Sequence, residues 1–299
     1  MPAHDKGKSL SVVMPIWNYS LHKKNIQTVL FELSRFKIEV IPVLDSEPLE
    51  SFSELNGLIK QLKLTGEVVQ VSAGNPGDSR NEGKKRATGE WITFWDCDDT
   101  PRIETYLKMI RKAEKENSQV VVASYQNENE QRHVIINHEI KIKNTGIHIG
   151  LNPGLWRMVF QRDSIEKIDY PSLSMGEDQV FLARVLHTNP RVSLLNEYAY
   201  VYKTGNSGQL TSNAIRKREI LIAYNTLLKE RENSHRHVKT ISAMLLRQEI
   251  TILTQRKIVF HTKIKVGVKF VVRSIFNLDI LFLIIRYKIS ETLEKRTFF

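Results

Sequence analysis

Apolar and polar positions alternate between two periods over residues 1–125 of the chain. Short apolar runs typical of β-strands are separated by segments whose apolar residues recur every three or four positions, as they do in helices. This serial strand–helix order predicts an α/β fold with a mostly parallel central sheet that helices cover on both faces. The predicted strands are residues 10–17, 38–45, 67–73, 91–96 and 119–125, and the predicted helices include residues 51–63 and 101–117.

The pattern becomes less regular after residue 130. We expect a hairpin over 133–143, a strand over 155–162, a helix over 176–189, and two separate strands over 191–195 and 197–203. From about residue 212 the pattern is helical to the end of the chain. The sequence therefore predicts a catalytic domain over residues 1–210 and a basic, helical C-terminal region over residues 211–299.

The C-terminal region carries an apolar stripe beside a run of basic residues. Residues 251–278 contain six Lys or Arg and no acid. Apolar residues spaced by three and four fall on one side of a helix, and here they are Ile264, Val268, Val271, Ile275, Leu278, Phe282 and Ile285. Lys265, Lys269 and Arg273 are turned away from this stripe. Two interpretations are open: the helix packs on the domain, or it lies as an amphipathic helix on an anionic membrane surface.

Composition places the chain among ordinary globular proteins with a basic charge. Of its 299 residues, 41% are hydrophobic and 26% are charged, which suffices for a full core. The net charge of +11 favours polyanionic partners such as nucleic acid, an anionic membrane or a phosphate-bearing substrate. The single cysteine, Cys97, excludes an internal disulfide and a Cys-based zinc cluster.

The sequence gives no sign of export or of a membrane span. The first residues, MPAHDKGK, lead into a strand pattern, and no uninterrupted run of about 18 apolar residues is present. We therefore expect a cytoplasmic protein. The basic helices would provide peripheral attachment to the inner face of the cytoplasmic membrane.

Three carboxylates, Asp96, Asp98 and Asp99, directly follow the predicted strand 91–96. Like charges this close raise one another's pKa, so such clusters persist where a cation or hydrogen-bond donors neutralise them. Mg²⁺ and Mn²⁺ prefer oxygen ligands and often share them with substrate phosphates. Asp96 and Asp98 therefore favour a divalent ion that holds a diphosphate. The alternative, a cap by Asp99 or Thr100 on a helix beginning at Pro101, leaves that pair unexplained.

Four segments, in this order and spacing, resemble the inverting family 2 glycosyltransferases of GT-A fold. They are SVVMPIWN (11–18), VLDSE (43–47), GNPGDSRNEGKKRATGEWITFWDCDD (74–99) and GEDQVF (176–181). The likeness covers residues 9–205. It implies a GT-A domain, a nucleotide-sugar donor and Mn²⁺ or Mg²⁺ as cofactor.

The resemblance implies a donor site formed by Pro15, Asn18, Asp45, Arg80 and Asp96. Asp45 stands where the family places an acid against the base of the donor, and Arg80 belongs to the family's Arg-Asn pair. Asp98 is the implied metal ligand. The family's usual paired acids and Gly-Ser turn are reduced here to residues 44–47.

Asp178, the last residue of the GED motif, is the general base that the resemblance implies. Inversion requires a carboxylate on the face opposite the leaving group; an N-cap role for Asp178 is the alternative. Glu177 would orient the acceptor, and Trp156 is either an acceptor contact or a core residue. Family members often place a histidine near residues 202–211, and none stands there. Lys203 or hydroxyls of that loop would then serve the phosphates.

We predict a metal-dependent inverting glycosyltransferase that moves a sugar from a UDP-sugar to a hydroxyl of a saccharide or lipid-linked glycan. A sugar-phosphate nucleotidylyltransferase is one alternative, but MPIWNYS (14–20) lacks the glycines of that class. A non-enzymatic protein that binds membrane or nucleic acid is the other alternative. It leaves both acidic motifs unexplained, so we expect no nucleic-acid partner.

Overall fold

The structure is a computed structural model that describes residues 9–129, 134–138, 145–204, 219–233, 236–255 and 258–286. Its first part alternates strands and helices as predicted. These elements are β1 (Leu10–Ile16), α1 (Tyr19–Leu33), β2 (Glu39–Asp45), α2 (Leu49–Gln61), β3 (Val69–Val71), α3 (Pro76–Arg86) and β4 (Trp91–Phe94). The loop hydroxyls expected to serve phosphates, beyond residue 204, lie outside the described residues.

The second part continues the same sheet. It contains β5 (Thr100–Pro101), α4 (Ile103–Glu116), β6 (Val120–Asn129), β7 (Val134–His138), α5 (Thr145–Leu151), β8 (Met158–Gln161), α6 (Arg162–Ile165), α7 (Glu177–His187) and β9 (Val192–Thr204). Helix α4 begins at Ile103 rather than at Pro101, because Thr100 and Pro101 pair with β9. The two strands expected after residue 190 form one continuous strand, β9.

The strands form one mixed sheet in the order β3-β2-β1-β4-β8-β6-β9-β5, with β7 paired to β6. Strands β3, β2, β1 and β4 run parallel, whereas β8 runs antiparallel to both β4 and β6. The predicted mostly parallel sheet is thus confirmed, with β5, β7 and β8 running antiparallel to their neighbours. Since β1, β2 and β4 run parallel, their carboxyl ends lie at one edge, where ligands of such sheets bind.

Helices cover both faces of the sheet, as the unbroken apolar strands predict. Successive residues of β1 point to opposite faces: Val12 belongs to one buried cluster and Val13 to the other. Helix α3 approaches β1 and β2 closely at Gly83, where a Cβ would lie 2.4 Å from Val13 Cγ1 and 2.9 Å from Val43 Cγ2. A glycine is required there for the helix to lie this close to the sheet.

The C-terminal region forms α8 (Glu219–Asn233), α9 (Val238–Thr254), α10 (Phe260–Ile275) and a helix over residues 278–286, here α11. Residues of α8 and α9, including Ala223 and Met244, share one buried cluster with Phe94 and Phe181 of the sheet domain. The apolar stripe of α10 and α11 faces solvent instead. None of the helices in the described part of the chain is long and apolar enough to cross a membrane.

Candidate active site

Three of the predicted donor-site residues follow or end neighbouring parallel strands. Asn18 follows β1, Asp45 is the last residue of β2, and Asp96 follows β4. Pro15 lies in β1 opposite Val43 of β2. These residues therefore lie at the same edge of the sheet.

Asn18 has a local structural role at this edge. It is the N-cap of α1 in a left-handed conformation (φ 56°), and its side chain accepts a hydrogen bond from the Leu21 amide. Its own amide donates to Glu47 Oε1 at 2.6 Å. Asn18 thus fixes the connection between β1 and α1 beside the loop that follows β2.

Asp45 holds the turn that leads into α3. Its Oδ1 accepts hydrogen bonds from the backbone amides of Ala73 (2.9 Å) and Gly74 (3.0 Å), and its Oδ2 accepts one from Ser79 Oγ at 3.0 Å. The carboxylate is buried. Contact between Asp45 and the base of a nucleotide stays a prediction.

The acidic turn after β4 is held by residues from two other elements. Asn25 of α1 donates its side-chain amide to the carbonyls of Cys97 (2.9 Å) and Asp99 (2.8 Å). Lys203 of β9 donates its backbone amide to Asp99 Oδ1 at 2.7 Å and its Nζ to Asn25 Oδ1 at 3.0 Å. Asp99 is fully buried, and burial together with Asp98 and Asp96 raises its pKa well above the usual range. Asp99 therefore anchors the turn, and the more exposed Asp96 and Asp98 remain accessible for a ligand.

Arg80 joins the acidic turn to the GED motif. Its Nη2 lies 2.8 Å from Asp96 Oδ1, and its Nη1 lies 2.9 Å from Glu177 Oε1 and 3.3 Å from Asp178 Oδ1. The guanidinium is buried, and its carbon lies 5.6 Å from the centre of the Tyr170 ring. A desolvated guanidinium among carboxylates forms strong charge-assisted hydrogen bonds. The structure thus brings together Arg80, Asp96, Glu177 and Asp178, four residues that the resemblance assigns to one site.

The GED motif starts helix α7 at a left-handed glycine. Gly176 has φ 83° and precedes the first helical residue, Glu177, without a side-chain cap. Asp178 is the second residue of α7 and does not cap it. A Cβ at Gly176 would lie 2.6 Å from Ala223 Cβ of α8 and 3.4 Å from Gln248 Nε2 of α9. The C-terminal helices therefore form the wall behind the two carboxylates.

Burial shifts the acid–base properties of both carboxylates. Desolvation raises the pKa of Asp178 to about 8, and the neighbouring Glu177 and Asp96 add to this rise while Arg80 opposes it. Desolvation also raises the pKa of Glu177, against the effect of Arg80. A carboxyl group whose pKa lies near neutrality is suited to accept a proton from a hydroxyl during a reaction.

A divalent cation is compatible with the charges of this site. Asp96 and Asp98 are only half-buried, so their carboxylates can reach a bound ion, while Arg80 contacts Asp96 from the protein side. Within the described ranges, no group of three or more His, Cys, Asp or Glu residues could hold a metal ion. One or two carboxylates with substrate phosphates and water are a usual ligand set for Mg²⁺. Asp98, with Asp96, would hold the ion in this way.

Trp156 lies beside this region in an aromatic cluster. It stacks with Tyr200 (ring centres 4.6 Å apart) and Tyr202 (5.4 Å), and it contacts Tyr125 edge-on. Only 9% of Trp156 is exposed, so packing accounts for its position. Its contact with an acceptor sugar stays a prediction.

Sequence reasoning missed several residues that hold the site in place. Asn25 clamps the acidic turn, the Tyr200 hydroxyl accepts a hydrogen bond from the Asp96 amide at 2.9 Å, and Gln248 lies against Gly176. Asn25 lies in α1 and Gln248 in α9, and neither belongs to a motif. No pattern in the sequence could have found them, because their partners are distant along the chain.

The sheet, the carboxylates at its edge and the flanking helices are those of a glycosyltransferase of GT-A fold. The chain belongs to glycosyl transferase family 2, whose family model matches residues 11–173. The match extends from β1 to the segment just before the GED motif. The chain is therefore a glycosyltransferase, and the two alternatives raised by the sequence are not supported.

Bacterial glycosyltransferases of poly(ribitol-phosphate) are among the similar proteins. The chain is 26% identical over 216 residues to the poly(ribitol-phosphate) β-N-acetylglucosaminyltransferase TarS of Staphylococcus aureus, covering 68% of this chain and 37% of the relative. It is 24% identical over 216 residues to a poly(ribitol-phosphate) β-glucosyltransferase of Bacillus spizizenii, covering 69% of this chain and 34% of the relative. The chain thus spans about a third of the length of these two relatives.

Solved structures agree with the fold. TarS residues 1–349 in complex with UDP-GlcNAc superpose with a TM-score of 0.65 at 20% identity, covering 81% of this chain and 73% of the other. The mannosyltransferase PcManGT of Pyrobaculum calidifontis, in complex with GDP-Man and Mn²⁺, superposes with a TM-score of 0.60 at 13% identity, covering 81% of this chain and 71% of the other. At these identities the likeness concerns the fold alone.

Proposed function

We propose that the protein transfers a sugar from a UDP-sugar, with inversion, to a hydroxyl of a saccharide or lipid-linked glycan. The observation that carries this proposal is the contact of one buried guanidinium, that of Arg80, with Asp96 of the acidic turn and with both carboxylates of the GED motif. Donor-side and acceptor-side acids are thereby held next to each other. The structural likeness to TarS with bound UDP-GlcNAc supports a UDP-sugar as the donor.

An anionic polymer is the acceptor class with most support. Two relatives are named as glycosyltransferases of poly(ribitol-phosphate). The net charge of +11 favours association with a polyanion. We propose that Trp156 and Glu177 lie on the acceptor side of the site.

In the proposed reaction Asp178 accepts the proton of the acceptor hydroxyl while that oxygen attacks the anomeric carbon. The oxygen–carbon bond forms on the face opposite the bond that breaks, and the nucleoside diphosphate leaves with the bonding electron pair. Arg80 keeps Asp178 and Glu177 in place beside Asp96. In this proposal Pro15, Asn18 and Asp45 shape the nucleotide pocket, and Lys203 contacts the phosphates.

We propose Mn²⁺ or Mg²⁺ as the cofactor, with Asp98 as direct ligand and Asp96 as ribose contact or ligand through water. When bound, such an ion supplies positive charge to the departing diphosphate. The Mn²⁺ complex of PcManGT supports this choice. The half-buried carboxylates of Asp96 and Asp98 at the edge of the sheet support it as well.

We place the reaction in the cytoplasm, at the inner face of the cytoplasmic membrane. Assembly of a lipid-linked glycan would supply acceptors there. The basic C-terminal helices are the part of the chain that would approach that surface.

Two measurements on the full chain test the proposed activity. A thermal-shift panel of UDP-, GDP- and dTDP-sugars, with and without Mn²⁺, should give the largest stabilisation for one UDP-sugar with metal, because a ligand of the folded state raises its stability. Transfer to a poly(ribitol-phosphate) acceptor should yield the inverted linkage, read by NMR of the product. A retained anomeric configuration would overturn the mechanism.

Asp98→Asn tests the metal assignment separately. It keeps the size of the side chain but removes a ligand charge, so Mn²⁺-dependent UDP binding in calorimetry should be lost while the fold is retained. Asp163→Asn, which changes an exposed carboxylate of α6, is the matched control and should bind as the unmodified protein does. Unchanged metal-dependent UDP affinity in Asp98→Asn would exclude Asp98 as the ligand.

A further inference from the structure

Helices α10 and α11 leave a continuous row of large apolar side chains in solvent. Most of the large apolar residues that are exposed within the described ranges lie between residues 259 and 285. Phe260 is 77% exposed, Phe276 80% and Phe282 66%. We call the following set the apolar face: Phe260, Ile264, Val268, Val271, Ile275, Phe276, Leu278, Phe282 and Ile285. An exposed apolar surface of this extent marks an interaction site rather than an ordinary surface.

The opposite side of both helices packs against the rest of the protein, and these contacts hold the apolar face toward the solvent. Arg273 of α10 is buried and donates from Nε to Glu249 Oε1 of α9 at 3.1 Å. Val266 lies in the buried cluster shared with the sheet domain, and Ile280 and Ile284 of α11 pack against α9. Because the inner side is already packed, turning the helices to hide the apolar face would break a buried ion pair.

The charges next to the apolar face are basic. Helix α10 contains no acid, and besides Arg273, which pairs with Glu249, it carries Lys263, Lys265 and Lys269. The acid of α11, Asp279, lies 2.5 Å from Lys239 of α9. Apolar side chains flanked by lysines are the pattern of helices that lie in the plane of an anionic membrane. A second copy of this chain is a poorer partner, because two such faces would bring their lysines together.

We propose that the apolar face of α10 and α11 docks on the surface of an anionic lipid bilayer. The helices lie in the plane of the membrane, with the apolar face at the boundary of the acyl chains and the lysines at the lipid headgroups. This inference deepens the proposed function, which places the reaction at a membrane, but it rests on the helices and not on the catalytic residues.

Sedimentation with vesicles tests the docking surface on the full-length protein. Unmodified protein should bind vesicles of phosphatidylglycerol and phosphatidylcholine at low salt and bind pure phosphatidylcholine more weakly. Val268→Glu combined with Ile275→Glu should lower the partition onto anionic vesicles at least about tenfold, since each change removes an apolar side chain from the acyl boundary. Lys265→Glu should weaken binding at low salt and have less effect at high salt.

A double substitution elsewhere provides the matched control. Phe31→Glu combined with Ile222→Glu adds the same charge at apolar positions of α1 and α8 that are 55% and 56% exposed, and it should leave vesicle binding unchanged. Equal losses in both double variants, or no vesicle binding by the unmodified protein, would overturn the proposal. A dimer in light scattering that only the Val268/Ile275 variant abolishes would assign the apolar face to a second copy instead.

Transfer to a soluble acceptor separates this inference from the proposed function. The Val268/Ile275 variant should keep its rate on that acceptor, because the apolar face does not include the catalytic residues. Vesicle binding without any transfer in the unmodified protein would leave the docking surface standing and overturn the proposed activity.

Discussion

Arg80 is the residue on which most charges of the site converge. Its two terminal nitrogens contact three carboxylates contributed by β4's turn and α7. A planar guanidinium can do this because its donors point in fixed, divergent directions, whereas a lysine presents one compact charge. The relative position of Asp96 and the two GED carboxylates therefore depends on one side chain.

Arg80→Lys tests this dependence while keeping the charge. We expect the transfer rate to fall by about 100-fold, the effect of a small misplacement of reacting groups, with the fold retained. Arg86→Lys is the control, since Arg86 is exposed and forms an exposed ion pair with Glu67 at 2.9 Å. Single-turnover rates within a few-fold of the unmodified enzyme would show that Arg80 does not position the catalytic acids.

The pKa of Asp178 predicts how activity depends on pH. Asp178 must be deprotonated to accept a proton, and burial raises its pKa to about 8. The value of kcat/KM should therefore rise with pH up to about 8 and level off above it. Asp178→Asn should lose this dependence and about 100- to 10,000-fold in rate, with donor binding preserved. A group with this pKa changes its protonation between about pH 6 and pH 9. A rate profile that is flat over this range would argue for another base.

Lys84 shows what the residue pattern could not reveal. The run Lys84–Arg86 is typical of a solvated helix face, yet Lys84 is 5% exposed. Its Nζ donates to the carbonyls of Ile165 (3.1 Å) and Glu166 (3.2 Å) and lies 3.1 Å from Asp169 Oδ1. These acceptors lie about 80 residues further along the chain. Hydrophobic periodicity reports only on neighbouring residues, so it cannot reveal contacts over such a separation.

At the scale of elements, the C-terminal helices contribute to the catalytic turn. Ala223 of α8 and Gln248 of α9 lie against Gly176, directly before Glu177 and Asp178. Gln248 is 1% exposed. The position of the GED motif is therefore set partly by α8 and α9, which follow the last strand of the sheet in the chain.

Gly176→Ala measures the closeness of this contact. The new Cβ would meet Ala223 Cβ at 2.6 Å, in a left-handed conformation that already disfavours alanine. We expect a loss of stability of more than about 1 kcal/mol, read as a lower unfolding midpoint, together with slower transfer. Gly74→Ala shares a positive φ of 71° but has nothing within 4 Å, so it should show the conformational cost alone. Equal losses in the two variants would mean that α8 does not confine the turn.

The ion pair between α9 and α10 is the second contact worth breaking. Glu249 is fully buried, accepts from Arg273 Nε at 3.1 Å and from the Tyr224 hydroxyl at 2.8 Å. Arg273→Met leaves that carboxylate without its cation, which should cost about 3–5 kcal/mol. Lys239→Met, at an exposed pair with Asp279, should cost about 0–1 kcal/mol. Denaturation midpoints of both variants compare the two, and equal midpoints would contradict a structural role for Arg273.

The strand and helix order could be predicted from the apolar periods, because each strand is buried on both faces and each helix on one. Its boundaries were less predictable: α4 begins two residues after Pro101 because β5 pairs with β9. The convergence of Arg80, Asp96 and Asp178 came from the resemblance rather than from any period. The apolar stripe of α10 predicted a helix correctly. Whether the stripe faces the protein or the solvent became clear only from the structure, in which Arg273 on the other side of the helix pairs with Glu249.

At the scale of the whole molecule, two buried clusters lie on opposite faces of one sheet. The C-terminal helices add Ile220, Ala223 and Met244 to one of these clusters and carry the apolar face on their far side. Donor site and proposed membrane surface thus belong to one packed body. A conformational change at one of these two sites can reach the other only through the side chains packed between them, and such packing is rigid.

The contact of Gly176 with α8 and α9 sets a lower limit on any minimal catalytic fragment. A boundary drawn at residue 210 would remove α8 and α9 and expose the apolar surface of the sheet domain that these helices now cover. Designs that fuse a carrier module, exchange acceptor specificity or split the chain for complementation should therefore keep residues 219–255 with the sheet. Two helices beyond the last motif therefore belong to the structural unit that holds Asp178 in place.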